Sequence, residues 1–283
     1  MKQGILIFAH NNGDLDYVLM AAISGKLANK HLKKSVTLVT DNDSLSSTGY
    51  DGDLSEIFEY IILVDRPVVD NVRHLRDGTD SSMMPFINSN RATAWYLTPY
   101  DRTLLIDTDF LIFSDHLNNY WDVDDLLINS SINDISTTDR LGYTDYYVSE
   151  TSVPLLWATT VMFTKNEESK LFFDLVTYVG ENYQSYRDLY RFDSKLYRND
   201  ISFTIAYHIL HGHNIDNVRL LPPVLTAVDK DILCDVSDAG KLTLLISSID
   251  SKFTATTINN IDIHIMNKKS ILRQSTALLR IAE

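Results

Sequence analysis

The chain of 283 residues has one cysteine, Cys234, so no internal disulfide can form, and this fits a reducing, cytoplasmic setting. Neither a helix start nor a basic cluster flanks Cys234 to activate it, so it reads as an inert thiol. Also missing is any apolar run near the ~18 residues that a membrane-spanning helix needs. The apolar start Gly4–Phe8 is a strand's length and breaks at once into His10-Asn-Asn-Gly-Asp14. It lacks the basic leader and cleavage site of a secretory signal, so the sequons at Asn42 and Asn129 read as chance matches. Basic residues are scarce too. Lys and Arg number 25 against 38 Asp and Glu, a formal net charge of −13. A surface this acidic repels nucleic acid and anionic lipid over most of its extent. No repeat, low-complexity linker or shift in composition divides the chain, which predicts one domain over residues 1–283.

What is present is ordinary for a globular protein: 45% hydrophobic and 22% charged residues. The first third alternates strand and helix patterns. Gln3–Ala9 reads as a buried strand. Asp14–Lys30 reads as an amphipathic helix with Leu15, Val18, Leu19, Ala22, Ile23 and Leu27 on one face. Strands are predicted at Ser35–Thr40, Glu59–Val64 and Thr103–Ile106, with a short helix at Asn88–Tyr96. Further on, Asp139–Pro154 reads as a long surface loop and Leu156–Phe163 as a strand. Glu167–Glu181 and Asp200–Leu210 read as helices. Short strands follow at Val218–Leu221, Leu242–Ile246 and Asp262–Met266, before a basic C-terminal helix at about 268–280. The alternation implies an α/β fold: a mostly parallel twisted sheet with helices on both faces. Ligands in such sheets bind beyond the carboxyl ends of strands, here Ala9-His-Asn-Asn12, Thr40-Asp41 and Asp107-Thr-Asp109.

The most informative stretch is Thr103-Leu-Leu-Ile-Asp-Thr-Asp-Phe-Leu-Ile-Phe113. Two carboxylates sit inside an apolar run, and burying them calls for a cation, strong hydrogen bonds or protonation. Where the chain turns at a strand end, both can converge on one ion. Oxygen ligands of this kind suit Mg²⁺ or Mn²⁺, which can bridge a diphosphate. The Asp-x-Asp spacing recurs at Asp14/Asp16, Asp41/Asp43, Asp51/Asp53, Asp122/Asp124 and Asp229/Asp231, in polar contexts that read as solvated caps or turns. His208, His211 and His213 cluster without a carboxylate nearby and read as a solvated helix end.

These residues together resemble the GT-A fold of nucleotide-sugar glycosyltransferases, and within it the retaining family 8, the glycogenin and bacterial galactosyltransferase group. The similarity runs from about residue 3 to about residue 272. Ile7-Phe-Ala-His-Asn11 resembles the family's first strand and turn, implying nucleoside contacts from Phe8, Ala9, His10 and Asn11, with Thr40 and Asp41 at the neighbouring strand end. Arg91 falls where the family has an arginine that reaches the donor. Asp107-Thr108-Asp109 is similar to the metal-binding Asp-x-Asp. Trp157-Ala-Thr-Thr-Val-Met-Phe163 resembles the Asn-Ala-Gly strand of the sugar pocket, which implies roles for Ala158 and Thr159. Arg198-Asn-Asp-Ile-Ser-Phe203 resembles the Asp-Gln-Asp segment, with Asn199 at the donor and Asp200 beside the transferred sugar. Ile263-His-Ile-Met-Asn-Lys-Lys269 is similar to the His-x-x-Gly-x-x-Lys ending. By that likeness His264 is the third metal ligand and Lys268 or Lys269 meets the diphosphate, though Asn267 replaces the glycine and the lysines come early.

The resemblance implies a metal-dependent, retaining transfer of a sugar from a nucleoside-diphosphate sugar, UDP-sugar first, using Mn²⁺ or Mg²⁺. The acceptor stays open among glycan, lipid, protein and modified DNA base, with nucleic acid disfavoured by charge. The basic C-terminal segment could instead meet an anionic membrane carrying a lipid acceptor. Three other classes are consistent with parts of the pattern. A haloacid-dehalogenase-type phosphatase would use Asp107 as nucleophile and Asp109 as acid/base, but its later Gly-Asp motif is missing. A nucleotidyltransferase would open on a Gly-rich phosphate loop that Phe8–Gly13 lacks. A non-catalytic nucleotide-sugar-binding module would keep the scaffold without the chemistry.

Overall fold

The computed structural model describes residues 1–66, 71–87, 90–136, 140–142, 145–248, 250 and 252–283. The first elements are β1 (Gln3–Phe8), α1 (Tyr17–Leu32), β2 (Ser35–Thr40), α2 (Asn42–Ser47) and β3 (Tyr60–Leu63). A hairpin of β4 (Val72–Asp77) and β5 (Asp80–Pro85) follows, then α3 (Ala94–Leu97), β6 (Arg102–Ile106) and β7 (Phe110–Leu111). Next come β8 (Leu127–Asn129), β9 (Ile132–Asp134), β10 (Trp157–Thr164), α4 (Glu167–Glu181), α5 (Tyr183–Tyr190) and α6 (Asn199–Leu210). The last part holds β11 (Val224–Ala227), β12 (Ile232–Val236), β13 (Leu242–Ser247), β14 (Phe253–Ile258), β15 (Ile263–Ile265), α7 (Lys268–Arg273) and α8 (Ser275–Ile281).

The central sheet has the order β3-β2-β1-β6-β10-β8. Its first four strands are parallel, while β10 runs antiparallel to both its neighbours. Alternate residues of each strand serve opposite faces. Ile5, Ile7, Leu38, Leu104 and Ile106 pack with α1 through Val18, Ala21 and Ala22. Leu6, Phe8, Val39, Leu105, Val161 and Phe163 pack with Phe172, Phe173 and Val176 of α4 and Phe203 of α6. The sheet is therefore covered on both faces, and its strands read as continuous apolar runs for that reason. Gly4 is a close-approach position: a Cβ there would lie 2.3 Å from the Tyr100 ring. Tyr100 is 1% exposed, and its hydroxyl accepts a 2.8 Å hydrogen bond from Thr37.

A second sheet, β7-β15-β11-β9, adjoins the first, and β12-β13-β14 form a third. The chain passes from β6 of the first sheet to β7 of the second through Asp107-Thr108-Asp109 alone. Among the described residues, the β4–β5 hairpin joins none of the three sheets. It turns at Gly78, whose φ is +64°, and is fastened to the C-terminal region by two ion-paired hydrogen bonds from Arg273 to Asp77.

Several expectations need correcting. Val218–Leu221 is no strand. Leu221 makes only an isolated bridge to Asn129, and the strand begins after Pro222 and Pro223, which have no N–H to donate. The C-terminal helix is two helices broken at Gln274. Of the short helix expected at Asn88–Tyr96, residues 88 and 89 lie outside the described residues, and a 3-10 turn at Asn90–Thr93 leads into α3. Of the expected loop at Asp139–Pro154, residues 139, 143 and 144 lie outside them. His208 is 1% exposed, not solvated, and its Nε2 lies 3.0 Å from the Pro154 carbonyl.

Candidate active site

The turn at the end of β6 is held at each residue. The Asp107 N–H donates to the Thr159 carbonyl (3.0 Å), extending the β6–β10 pairing past the strand. Ser24 Oγ donates to the Thr108 carbonyl (2.6 Å), and the Ile265 N–H to the Asp109 carbonyl (2.9 Å). The Phe110 N–H closes the turn on the Asp107 carbonyl (3.2 Å). Carboxylates two apart, which a straight strand would send to opposite faces, here point to one place. His264 reaches it from β15, whose pairing sets His264 opposite Phe110. One ligand atom from each of Asp107, Asp109 and His264 lies within 4.8 Å of the others. Among the described residues this is the one such group of His, Cys, Asp or Glu able to hold a metal.

Cations flank both carboxylates. Arg91 Nη1 lies 2.9 Å from Asp107 Oδ1, and its Nη2 donates to the Ala158 carbonyl (2.7 Å). Lys268 Nζ lies 2.6 Å from Asp109 Oδ2, and His264 Nε2 is 3.3 Å from Asp109 Oδ1. Burial works against the charge on Asp109, but Lys268 and His264 outweigh it and hold the carboxyl well below the usual range. Burial and the charge of Asp109 push Asp107 the other way, above its ordinary value, against the pull of Arg91. Lys268 stays protonated, since Asp109 more than offsets the cost of burying its ammonium. Lys268 is the first residue of α7, where the helix dipole disfavours a cation, so Asp109 compensates that placement. Asn267 caps α7 by accepting from the Ser270 N–H (3.1 Å), and its amide donates to the Asp231 carbonyl (2.8 Å). That cap aims Lys268 at the carboxylates.

These groups line a cleft of about 440 Å³ at the carboxyl end of the parallel strands. Of the residues expected at the site, Phe8, Arg91, Asp107, Thr108, Asp109, Ala158, Thr159, Asn199, Asp200, His264 and Lys268 line it. Ala9, His10, Asn11, Thr40, Asp41 and Lys269 do not. The first five of these form a buried network behind it. Asp41 accepts from the Ser44 N–H (2.9 Å) as the cap of α2, pairs with Arg66 (3.0 Å), and lies 2.7 Å from His10 Nδ1. Burial keeps the His10 imidazole below its ordinary pKa despite Asp41. Asn11 Oδ1 accepts from the Val18 N–H (3.1 Å) and Thr40 Oγ1 donates to the Ala9 carbonyl (2.6 Å).

Asp200 forms a two-pronged pair with Arg198, one contact being 3.0 Å. Burial opposes its charge, but Arg198 outweighs burial and keeps the carboxyl below its usual range. The lining also includes Tyr17, Arg73, Trp157 and Arg198, which the sequence did not single out. Arg198 stood beside Asp200 in the same segment, and adjacency to a buried carboxylate was the available signal. Of the other Asp-x-Asp pairs, Asp16 and Asp53 are helix caps, as Asp41 is, and Asp231 pairs with Arg140 at 2.6 Å.

No protein-family model matches the chain, and no curated protein sequence matches it. Its backbone is similar to two structures of the glycosyltransferase GlyE of Streptococcus pneumoniae TIGR4, at 9% and 14% sequence identity and TM-scores of 0.42 and 0.40. The match takes in 78% of this chain and 45% of GlyE, so the chain spans less than half the length of that protein. An active-site mutant of LgtC is similar at 14% identity and a TM-score of 0.40, over 71% of this chain and 68% of LgtC. Likeness this distant concerns the course of the backbone, and the chemistry must be read from the side chains in the cleft. Among the described residues, no helix is long and apolar enough to cross a membrane.

Proposed function

We propose that this protein transfers a sugar from a nucleoside-diphosphate sugar, UDP-sugar first, and that Asp107, Asp109 and His264 hold the divalent cation that the donor requires. The observation that carries the reading is the convergence of these three side chains beside two cations, Lys268 and Arg91. Two carboxylates and an imidazole are a donor set that Mn²⁺ accepts readily, and Mg²⁺ with fewer direct contacts. A divalent ion held by these residues would supply positive charge that stabilises the diphosphate as a leaving group.

The chain's own residues supply the rest. In the absence of donor, Lys268 and Arg91 neutralise the two carboxylates. Both cations lie in the cleft where they would meet the negative charge of a departing diphosphate. Asp200, kept ionised by Arg198, is suited to steady positive charge on the sugar. Ala158 and Thr159 line the cleft with these groups. Retention of anomeric configuration, and kinship with family 8, rest on the resemblance of the motifs. The acceptor is left open among the classes named above, as is a non-catalytic role in binding nucleotide sugars. Turnover of UDP-sugar to UDP with Mn²⁺ separates enzyme from binding module.

The test is calorimetry of UDP with Mn²⁺ and with EDTA, on the wild type and Asp109→Asn. Binding that needs the metal, and fails in the folded variant, is expected. Equal affinity with and without metal would refute the proposal.

A further inference from the structure

The cleft holds four fixed cations: Arg73, Arg91, Arg198 and Lys268. Three are committed, Arg91 to Asp107, Arg198 to Asp200 and Lys268 to Asp109. Arg73 is different. Among the described residues it has no carboxylate within ion-pair distance and no hydrogen-bond acceptor. Instead its guanidinium lies on the Phe86 ring, 3.5 Å from the centroid. Phe86 is itself buried and fixed, its N–H donating to the Asn71 carbonyl (2.9 Å), while the Asn71 amide donates to the Tyr197 carbonyl (2.8 Å). Contact with the ring restrains the guanidinium at the cleft wall, and its N–H groups, unused by any acceptor among the described residues, are of the kind that read carboxylate or phosphate in two-pronged fashion. Arg73 shares the cleft lining with Asp200 and Asp107 without pairing to either.

Charge balance gives this position meaning. With a divalent cation on Asp107 and Asp109, and a diphosphate on Arg91 and Lys268, the Arg198–Asp200 pair persists. Asp145, the other carboxylate of the lining, makes no ion pair with Arg73, so among the described residues Arg73 is left without a direct counter-ion. We propose that Arg73, held by Phe86, is an anion subsite separate from the diphosphate, and that it takes a carboxylate or phosphate borne by the sugar being transferred or by the acceptor. The inference rests on the donor reading above and names a substrate class for it: acidic or phosphorylated sugars.

The test is calorimetry on the full chain with Mn²⁺. The donor arm compares UDP, UDP-glucose and UDP-glucuronate. The acceptor arm titrates glucose and glucose 6-phosphate into protein loaded with UDP and Mn²⁺. A charge-assisted contact is expected to favour the anionic member of one arm by about fivefold or more in affinity, and the arm that responds identifies which substrate bears the anion. Arg73→Met keeps the stem on Phe86 and should abolish that preference while leaving UDP affinity unchanged. Arg73→Lys should restore part of it. Absence of preference in both arms of the wild type would overturn the subsite with no variant needed. Loss of UDP affinity in Arg73→Met, matching the loss for UDP-glucuronate, would also overturn it, since Arg73 would then serve the diphosphate. Failure of UDP itself to bind with Mn²⁺ would remove the donor reading and the subsite together, whereas UDP binding without discrimination removes the subsite alone.

Discussion

Lys268→Met is the sharpest probe of the site, because it removes one charge from a pair whose other member cannot reach water. Asp109 has a side chain 5% exposed, Lys268 one 22% exposed, and their contact is 2.6 Å. Taking one partner from a buried pair costs about 3–5 kcal/mol, since the remaining charge stays desolvated. Here His264 still stands 3.3 Å away and Lys268 is partly open to the cleft, so the lower end applies, about 3 kcal/mol. For a chain of this size that lowers the thermal midpoint by about 5 °C. Methionine has nearly the volume of the lysine stem, so little of this loss is packing. A second effect has the opposite sign. In the wild type an arriving cation must displace the Lys268 ammonium from Asp109, and in the variant nothing competes. Mn²⁺ alone should therefore raise the midpoint of Lys268→Met more than that of the wild type. UDP with Mn²⁺ should bind about tenfold more weakly, for want of the charge-assisted contact. Differential scanning fluorimetry over a Mn²⁺ series, with and without UDP, reads all three. A variant as stable as the wild type with the same Mn²⁺ response would refute the idea that Lys268 is the internal counter-ion of Asp109.

Asp41→Ala should cost about 2–3 kcal/mol by chemical denaturation, because His10, Ser44 and Arg66 hold its carboxyl at about 2 against an ordinary 3.8, overcoming the opposing effect of burial. The folded pKa is depressed, so this stability is present above about pH 4 and is lost as pH falls toward about 2. An acid titration of the variant's stability should lack that component. Gly4→Ala should destabilise by about 1–3 kcal/mol, since the new Cβ meets the buried Tyr100 ring, and restoring space with Tyr100→Leu in the double variant should recover part of it. Asp107 should remain unmodified after incubation with beryllofluoride and Mg²⁺, and an adduct by mass spectrometry would favour the phosphatase reading over sugar transfer.

The parts of the fold legible in the sequence were those where one physical signal dominates. Ser35–Thr40 and Glu167–Glu181 have the expected bounds, because a two-sided apolar run and a capped amphipathic helix leave little choice. Asp107 and Asp109 stood out because buried carboxylates need an explanation. The β4–β5 hairpin gave no such signal. Its strands are largely polar and half exposed, and its position comes in part from distant ties, Asp77 to Arg273 and Asn12 to the Pro85 carbonyl. Arg73, which it carries into the cleft, was invisible for the same reason. The choice between Lys268 and Lys269 was likewise closed to sequence reading, because the Asn267 cap sets which lysine faces the carboxylates. The strand expected at Val218–Leu221 had the right composition, but two prolines defer the pairing to Val224.

The pairing of β7 with β15 has a consequence for how this chain can vary. Two residues of β7 bond to β15, in the register Leu111–Ile263 and Phe110–His264, and that register, with the Ile265 N–H on the Asp109 carbonyl, brings His264 beside Asp109. A slip of one residue would turn the imidazole to the far side of the sheet. The connection leading into β15 runs through the β12-β13-β14 meander, whose strands, among the described residues, pair only with one another. Residues added or removed at the meander's turns would lengthen or shorten that outlying sheet, and the slack would be taken up before Asp262. Asp262 fixes the approach to β15 by accepting from the N–H groups of Phe113 and Ser114, both at 2.8 Å. It thus works as a stop that separates the tolerant part of the chain from the intolerant one. Insertions among related chains should collect between Val236 and Leu242 and between Ser247 and Phe253, outside the core-facing strands, while the spacing from Asp262 to Lys268 stays constant.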